Sequence, residues 1–451
     1  MMQPLIISVS GCRGIVGDAL TPEAAMNLGA TYGKLLGQGK RVVIGRDTRP
    51  SGGMLQSAAT AGLLAAGVNV TDLGVVTTPA VVVDLLQTGA DGGLVVTASH
   101  NPAQYNGLKI MAADGRCLPA QKAAALKDAY LGRRFSTTGS GRPGKLASDA
   151  TATTRHLKTV LQTCDRTLIS SRRFRVVLDP VNGAGCLAGE EMLSKLGCEV
   201  IAVNAEPTGQ FAHAPEPLAE NLEGLCEAVR RHRAVVGFAL DPAGDRLALV
   251  DEKGRYIGEE YTLPLVAGHL LSKRRGSVAA NLSTSRMIDV VVREAGAVCH
   301  RTPVGETNVS LAVAEHGCVV GGEGSGGVID PRVGPTRDAF VGMAQILDLL
   351  ARQETPLSQL ADGLGRFCMI KTKFGFPREE VSSLLAAVRE AYVRERIDER
   401  DGIRIDREEG WVHVRPSNTE PIVRIIAEAD DEPTARKFLS DMQKVADTVR
   451  G

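Results

Sequence analysis

One hydroxyl in this chain sits in a setting suited to group transfer. Gly93-Leu-Val-Val-Thr-Ala-Ser-His-Asn-Pro102 runs on through Tyr105-Asn-Gly-Leu-Lys109. The apolar run Leu94 to Val96 stops at a cluster of Ser, Thr, Asn and Pro, as a buried strand does where it ends in a loop. Ser99 is therefore expected at a strand tip. His100 beside it and Lys109 ten residues on are cationic neighbours able to neutralise a phosphate and, for the lysine, to move a proton. An N-capped turn into a helix is the plainer alternative for this stretch alone.

Four further stretches carry polar chemistry. Asp241-Pro-Ala-Gly-Asp-Arg246 holds two carboxylates four residues apart beside an arginine. That set suits a divalent metal and a phosphate, because hard Mg²⁺ takes a few protein oxygens and leaves the rest of its shell to water and phosphate. Asp-Pro-x-Gly is also good type I turn chemistry that opens a hairpin. Gly321-Gly-Glu-Gly-Ser-Gly-Gly327 places Glu323 and Ser325 on a backbone free to approach a ligand, which fits adjacent sugar hydroxyls. Upstream, Thr302-Pro-Val-Gly305 offers main-chain groups, from Thr302 to Gly305, near the same cleft. Arg415-Pro-Ser-Asn-Thr-Glu-Pro421 sets Ser417, Asn418 and Thr419 between the guanidiniums of Arg415 and Arg424. Hydroxyls, an amide and backbone N–H groups there make a phosphate nest, with an ordinary Ser/Thr turn as the alternative. Arg13, within Ser10-Gly-Cys-Arg-Gly14, reads by itself as a surface arginine.

A threefold repeat positions these loops. In each copy strand, helix, strand, helix and strand follow one another, and the third strand begins at glycine and ends in a polar loop. The copies run from Arg41 to Ser99, from Arg175 to Asp241 and from Ser277 to Glu323. Such alternation predicts mixed sheets covered by helices on both faces, with ligands gathered at the strand ends. Three tandem mixed-sheet α/β units around a central cleft are expected, over residues 1–147, 148–255 and 256–366, with the stretch from Ser148 to Leu157 beginning the helix that enters the second. An apparent hairpin, Leu247 to Val250 and Arg255 to Ile257, separates the second unit from the third. Residues 367–451 read as a smaller α+β domain: strand-like runs at 368–374, 411–415 and 422–427, a helical face marked by Leu384 and Val388, and a closing helix with Phe438, Met442, Val445 and Val449 as its stripe.

Composition narrows the function. Lys+Arg and Asp+Glu both number 52, and aromatics make up 4%, so nothing advertises a nucleic-acid or membrane surface. No apolar run approaches the length that spans a bilayer. The apolar N-terminal run lacks the basic flank of a signal peptide. Nine cysteines with no C-x-x-C pair fit reduced thiols in a cytoplasmic protein, and the histidines show no zinc spacing.

Together these loops resemble the α-D-phosphohexomutase superfamily, across essentially the whole chain and in order: Ser-Gly-x-Arg-Gly, Thr-Ala-Ser-His-Asn-Pro with Tyr-Asn-Gly-x-Lys, Gly-Asp-Arg, Gly-Glu-x-Ser-Gly and Arg-x-Ser-Asn-Thr-x-Pro. The resemblance implies an isomerase that interconverts hexose 6-phosphate and hexose 1-phosphate through a phosphoserine at Ser99 and a hexose bisphosphate, which also serves as primer. It implies that Lys109 and Arg13 assist proton transfer and charge stabilisation, and that His100 and Arg246 support the phosphoserine. Ser99, Asp241 and Asp245 would hold Mg²⁺. Glu323 and Ser325 would grip the sugar, while Arg415, Ser417, Asn418, Thr419 and Arg424 hold the phosphate that is not reacting. Glucosamine phosphate is the first expectation for the small-molecule substrate, with mannose or glucose phosphate next.

Two positions depart from the family pattern. Ala243 replaces the middle aspartate of the metal loop, which removes a ligand and a charge and predicts weaker Mg²⁺ binding. Gly327 stands where several bacterial members carry histidine. A phosphosugar-binding protein uncoupled from catalysis by Ala243 is the alternative from another class.

Overall fold

Three copies of one strand order account for most of the chain. The computed structural model describes residues 5–8, 10–133, 141–417 and 421–450. In the first copy Arg41–Arg46 lies between Asn69–Val75 and Gly92–Val96, all parallel, and Tyr105–Ala112 returns antiparallel along Gly92–Val96. In the second, Arg175–Asp179 lies between Glu199–Ala202 and Val236–Leu240, and Leu247–Asp251 returns. In the third, Val278–Asn281 lies between Cys299–Thr302 and Val320–Glu323, and Gly327–Ile329 returns. Each time, a candidate loop joins the last parallel strand to the returning one. There the main chain leaves its ladder at the C-terminal end of a parallel strand, which is where α/β sheets collect ligands. Gly92–Val96 is buried along its whole length, which explains its uninterrupted apolar run.

Two edges differ from expectation. Leu146–Ser148 is a strand rather than the start of a helix. It pairs parallel with Asn69–Val75, because the departing chain runs along a sheet edge whose main-chain groups need partners; the helix begins at Ala152. The hairpin is present as Leu247–Asp251 and Tyr256–Gly258, but it completes the second sheet instead of separating two units. Towards the opposite edge of the first sheet, next to the edge strand Ile6–Ser8, Gly11–Ile15 pairs with Tyr105–Ala112 and brings Arg13 beside Gly107.

The second and third domains share one continuous core. Leu157 and Val160, Phe238 and Leu240, Leu263 and Val266, and Phe340, Met343 and Leu347 belong to the same buried cluster. Separating these domains would expose that apolar surface, so they behave as one body. The fourth domain is an antiparallel sheet in the order Cys368–Gly375, Ile422–Ala429, Gly410–Pro416, Ile403–Asp406 and Arg396–Asp398. Its core is its own, built from residues such as Phe376, Val412, Ile425 and Met442. It meets the third domain through polar contacts: Lys371 Nζ lies 3.0 Å from both Glu259 and Glu260, and Ser283 Oγ lies 2.9 Å from His413 Nδ1. Interfaces of that character permit domain rotation. Among the described residues, no helix is long and apolar enough to cross a membrane.

One aspartate pins the helix behind the cleft. Asp338 Oδ1 accepts from the N–H groups of Phe340 at 2.9 Å and Val341 at 3.4 Å, capping Ala339–Gln353. Its Oδ2 lies 2.7 Å from Nε2 of the buried His156, on a helix of the second domain. Replacing Asp338 by Ala removes a cap and strands a buried imidazole. The expected cost is about 2–4 kcal/mol, read as a lower denaturation midpoint for the unit formed by the second and third domains.

Candidate active site

The sheet delivers Ser99 and a buried ion pair fixes it. Ser99 has φ 51°, a left-handed conformation uncommon for a residue with a Cβ and a feature that clusters at functional sites. Its N–H donates to Thr97 Oγ1 at 2.9 Å, and that hydroxyl donates to Asp47 Oδ2 at 2.6 Å. Arg49, paired to the same aspartate oxygen at 3.1 Å, spreads its guanidinium under the loop. Its terminal nitrogens donate to the carbonyls of Ser99 at 2.6 Å, Asn101 at 2.7 Å, Pro102 at 2.9 Å and Tyr105 at 3.0 Å. The loop carbonyls therefore turn inward, and the hydroxyl faces the cleft.

The hydroxyl meets the second domain's carboxylates. Ser99 Oγ donates to Asp241 Oδ2 at 2.6 Å and lies 3.5 Å from Asp245 Oδ1. Asp241 Oδ1 accepts from the N–H groups of Asp245 at 3.0 Å and Arg246 at 3.3 Å, and Gly244 takes φ +70° in that turn. The turn chemistry is thus present, and it is what aims the carboxylates. Burial and then the charge of Asp245 push the Asp241 carboxyl up to about 6. Burial opposes ionisation of Asp245 as well, yet Arg337, Lys109 and Arg246 hold it well below the usual carboxylate range. Lys109 Nζ at 3.1 Å and Arg337 at 2.7 Å both donate to Asp245 Oδ2. Burial works against the Lys109 ammonium, but Asp245 and then Glu306 more than compensate, so it is held protonated.

Two buried carboxylates facing a seryl oxygen are hard oxygen donors, and they fit a cation that fills its remaining positions with water and phosphate. Ala243 is buried, and its carbonyl accepts from Thr78 N–H of the first domain at 2.9 Å. It supplies contact between domains in place of a third carboxylate. Among the described residues, no group of three His, Cys, Asp or Glu side chains could hold a metal ion.

Two adjoining cavities meet at this point. The smaller, about 250 Å³, is lined by Arg13, Ser99, His100, Lys109, Arg246 and Arg337. The larger, about 680 Å³, shares Lys109, Arg246 and Arg337 and continues past Gly305, Glu323 and Ser325 to Arg415 and Arg424. Glu323 Oε1 accepts from Asn281 Nδ2 at 2.8 Å and Gly305 N–H at 3.2 Å, and its Oε2 accepts from Arg337 at 2.7 Å. Thr302 does not reach this wall. It donates to Pro303 O at 2.9 Å and lines a separate crevice beside the fourth domain, because it still belongs to the strand Cys299–Thr302; Val304 and Gly305 line the cleft instead. His100 differs in charge: burial and then Arg246 push its imidazole down to about 2. It stands 3.4 Å from Ser99 Oγ as a neutral hydrogen-bonding group rather than a cation. Arg246 Nε is buried without a hydrogen-bond partner.

A row of cations crosses the fourth domain's sheet. Lys373 lies opposite Arg424, and Arg424 lies opposite Arg415 on the next strand. Like charges directly opposed across strands are unfavourable unless an anion joins them. Asp401 Oδ2 takes up part of this charge, accepting from Arg415 Nε at 2.7 Å and from Val304 N–H of the third domain at 2.9 Å. Ser417 N–H is held by Ile422 O at 2.9 Å. Asn418 and Thr419 lie outside the described residues.

Asp47, Arg49, Lys373 and Arg337 were not among the residues expected from sequence. Asp47-Thr-Arg-Pro50 ends the first parallel strand of its copy, and that polar strand end is the signal that marks it. Arg337 precedes the helix cap Asp338 and carries no motif of its own.

A hydroxyl aimed by carboxylates, ringed by guanidiniums and opening on a cavity of sugar-phosphate size that carries charged groups at both ends, defines the class of a phosphotransferase. Models of the phosphoglucomutase/phosphomannomutase family match all four domains: α/β/α domain I over residues 5–136, domain II over 154–254, domain III over 259–367 and the C-terminal domain over 374–445. A phosphoglucomutase/phosphomannomutase of Thermococcus kodakarensis is 38% identical, with 95% of each chain covered. A probable phosphoglucosamine mutase of Methanopyrus kandleri is 37% identical, with 98% of each covered. The crystal structure of a phosphoglucomutase/phosphomannomutase family protein from Burkholderia thailandensis superposes with TM-score 0.86 at 27% identity, covering 99% of this chain and 98% of that one. The chain belongs to the α-D-phosphohexomutase superfamily, a group of isomerase-class phosphotransferases.

The clamp under Ser99 is testable. Arg49→Met leaves Asp47 buried without its partner and four carbonyls without a donor, so stability should fall by about 3–5 kcal/mol. At a temperature where the variant is still folded, intact mass should show less phosphate on Ser99 than in the parent protein.

Proposed function

We propose that this enzyme interconverts hexose 6-phosphate and hexose 1-phosphate by way of a phosphoserine at Ser99 and a bisphosphorylated sugar. Glucosamine phosphate is the preferred substrate in this reading, followed by mannose and glucose phosphates. The observation that carries it is the hydroxyl of Ser99, conformationally constrained and 2.6 Å from Asp241, in a cavity that shares Lys109, Arg246 and Arg337 with a larger one. The names of the similar proteins support it independently.

Each transfer breaks one O–P bond, forms another and moves one proton from the attacking hydroxyl to the departing oxygen. Phosphoryl transfer asks mainly for alignment and charge neutralisation. Ser99 gives its phosphoryl to one end of the sugar and recovers a phosphoryl from the other. Ser99 donates its hydroxyl hydrogen to Asp241, so Oγ keeps its lone pairs for the return step. Lys109 enters protonated, which suits it to stabilise charge and to supply a proton to the departing seryl oxygen. Arg13 and Arg246 face the same small cavity and receive the phosphoryl oxygens, with neutral His100 hydrogen-bonded beside them. Glu323 and Ser325 take the sugar hydroxyls. The row formed by Lys373, Arg424 and Arg415 holds the distal phosphate, with Ser417, Asn418 and Thr419 as its loop. The polar contacts of the fourth domain allow it to swing while the intermediate turns end for end.

Mg²⁺ held by Ser99, Asp241 and Asp245 supplies Lewis-acid neutralisation of the phosphoryl oxygens when bound. With Ala243 in the loop, activity should saturate only at free Mg²⁺ on the order of millimolar, and Ala243→Asp should lower that requirement. Saturation at micromolar Mg²⁺ with no change in the variant would contradict the assignment. The substrate is tested by coupled assays on glucosamine, mannose and glucose 6-phosphates, with and without a bisphosphate primer. Turnover is expected on at least one sugar, fastest on glucosamine 6-phosphate and abolished in Ser99→Ala; no turnover on any of the three would refute the reading.

A further inference from the structure

Arg337 is a charged side chain in the cleft that none of the recognised loops explains. It comes from the turn that leads into Ala339–Gln353, and its three nitrogens reach three acidic groups. One terminal nitrogen donates to Glu323 Oε2 at 2.7 Å and the other to Asp245 Oδ2 at 2.7 Å. The third, Nε, is buried with no hydrogen-bond partner, and Glu306 Oε2 stands 3.6 Å away. The residue is 9% exposed, yet it lines both the Ser99 cavity and the larger cavity. It forms part of the partition between them.

The backbone makes room for it. A Cβ on Gly327 would lie 2.2 Å from Arg337 Cδ and 2.7 Å from Cγ, so any side chain at 327 would displace the arginine stem. The glycine at this position, one of the two departures from the family pattern, thus admits a cation from the turn that follows its own strand. A two-armed guanidinium is also geometrically selective: its planar fork holds two carboxylates at a fixed separation, which a lysine ammonium does not.

We infer that Arg337 is a positioning residue that joins the sugar-gripping Glu323 to Asp245 and keeps a positive charge at the boundary the phosphoryl group crosses. The inference rests on the mutase reading and extends it to a residue outside the recognised motifs. Two consequences of opposite sign follow. Without the guanidinium, the cleft loses a fixed positive charge and the two loops lose their common strut, so kcat falls. Asp245 at the same time loses one of the two cations on its Oδ2, with Lys109 remaining, so Mg²⁺ binds more tightly.

The test compares Arg337→Gln, Arg337→Lys and Gly327→Ala with the parent protein, using steady-state kinetics on the best hexose phosphate and calorimetric titration of Mg²⁺ alone into the dephosphorylated enzymes. In Arg337→Gln, kcat should fall roughly 100-fold, the scale of a lost preorganised charge beside the reacting group, with KM within about threefold and Mg²⁺ bound several-fold more tightly. Arg337→Lys should restore at least tenfold of the lost kcat. Gly327→Ala, which keeps the arginine but displaces its stem, should lower kcat in the same direction. A kcat within threefold of the parent in Arg337→Gln overturns the inference. So does a joint loss of kcat, Mg²⁺ affinity and thermal stability, which marks a merely structural residue. An inactive parent protein would instead bring down the mutase reading itself.

Discussion

One buried carboxylate, Asp245, is the point on which three domains close. It belongs to the second domain, accepts Lys109 from the first and Arg337 from the third, and faces Ser99 through its other oxygen. A carboxylate with no solvent exposure is tolerated only when paired and hydrogen-bonded, and removing one partner leaves an uncompensated charge. The cleft is thus held in register by electrostatics at its centre, while apolar packing fixes the second domain to the third behind it. A catalytic centre built this way is preorganised for charge, which is the main demand of phosphoryl transfer.

The fourth domain is governed by a different constraint. Its core is separate, its contacts with the third domain are ion pairs and hydrogen bonds, and its cleft face carries three cations side by side across adjacent strands. In the proposed reaction, a rigid centre at one end and a separately built cationic face at the other suit a sugar phosphorylated at both ends. Asp401 ties the two together, because one of its oxygens holds both Arg415 and the main chain of Val304. In the proposed reaction, a phosphate arriving at Arg415 would compete directly for that link.

Much of this was legible from residue types and spacing. The three repeats, the mixed sheets and the loops bearing Ser99, Asp241, Asp245 and Glu323 were readable because each motif is local, and strand periodicity places it at a strand end. Long-range partners were not readable. Arg337 meets Asp245 across 92 positions of sequence and Arg49 meets Ser99 across 50, and neither pairing leaves a periodic trace. His100 looked cationic beside a hydroxyl, but its charge depends on burial and on Arg246, which only the assembled cleft supplies. Thr302 was grouped with Gly305 by proximity in sequence, whereas the strand end turns it towards the neighbouring crevice. The strand Leu146–Ser148 has no alternation to announce it and exists because a sheet edge was open.

The central claim is that Ser99 relays a phosphoryl group between the two ends of a sugar. Rapid-quench analysis of enzyme carrying radiolabelled phosphate on Ser99, mixed with unlabelled hexose 1-phosphate, measures this directly. About one equivalent of label per chain is expected to leave the serine within a single turnover, appearing first in hexose bisphosphate and then in hexose 6-phosphate. Label that stays on the serine while the hexose phosphates interconvert, or that departs as inorganic phosphate, would contradict it.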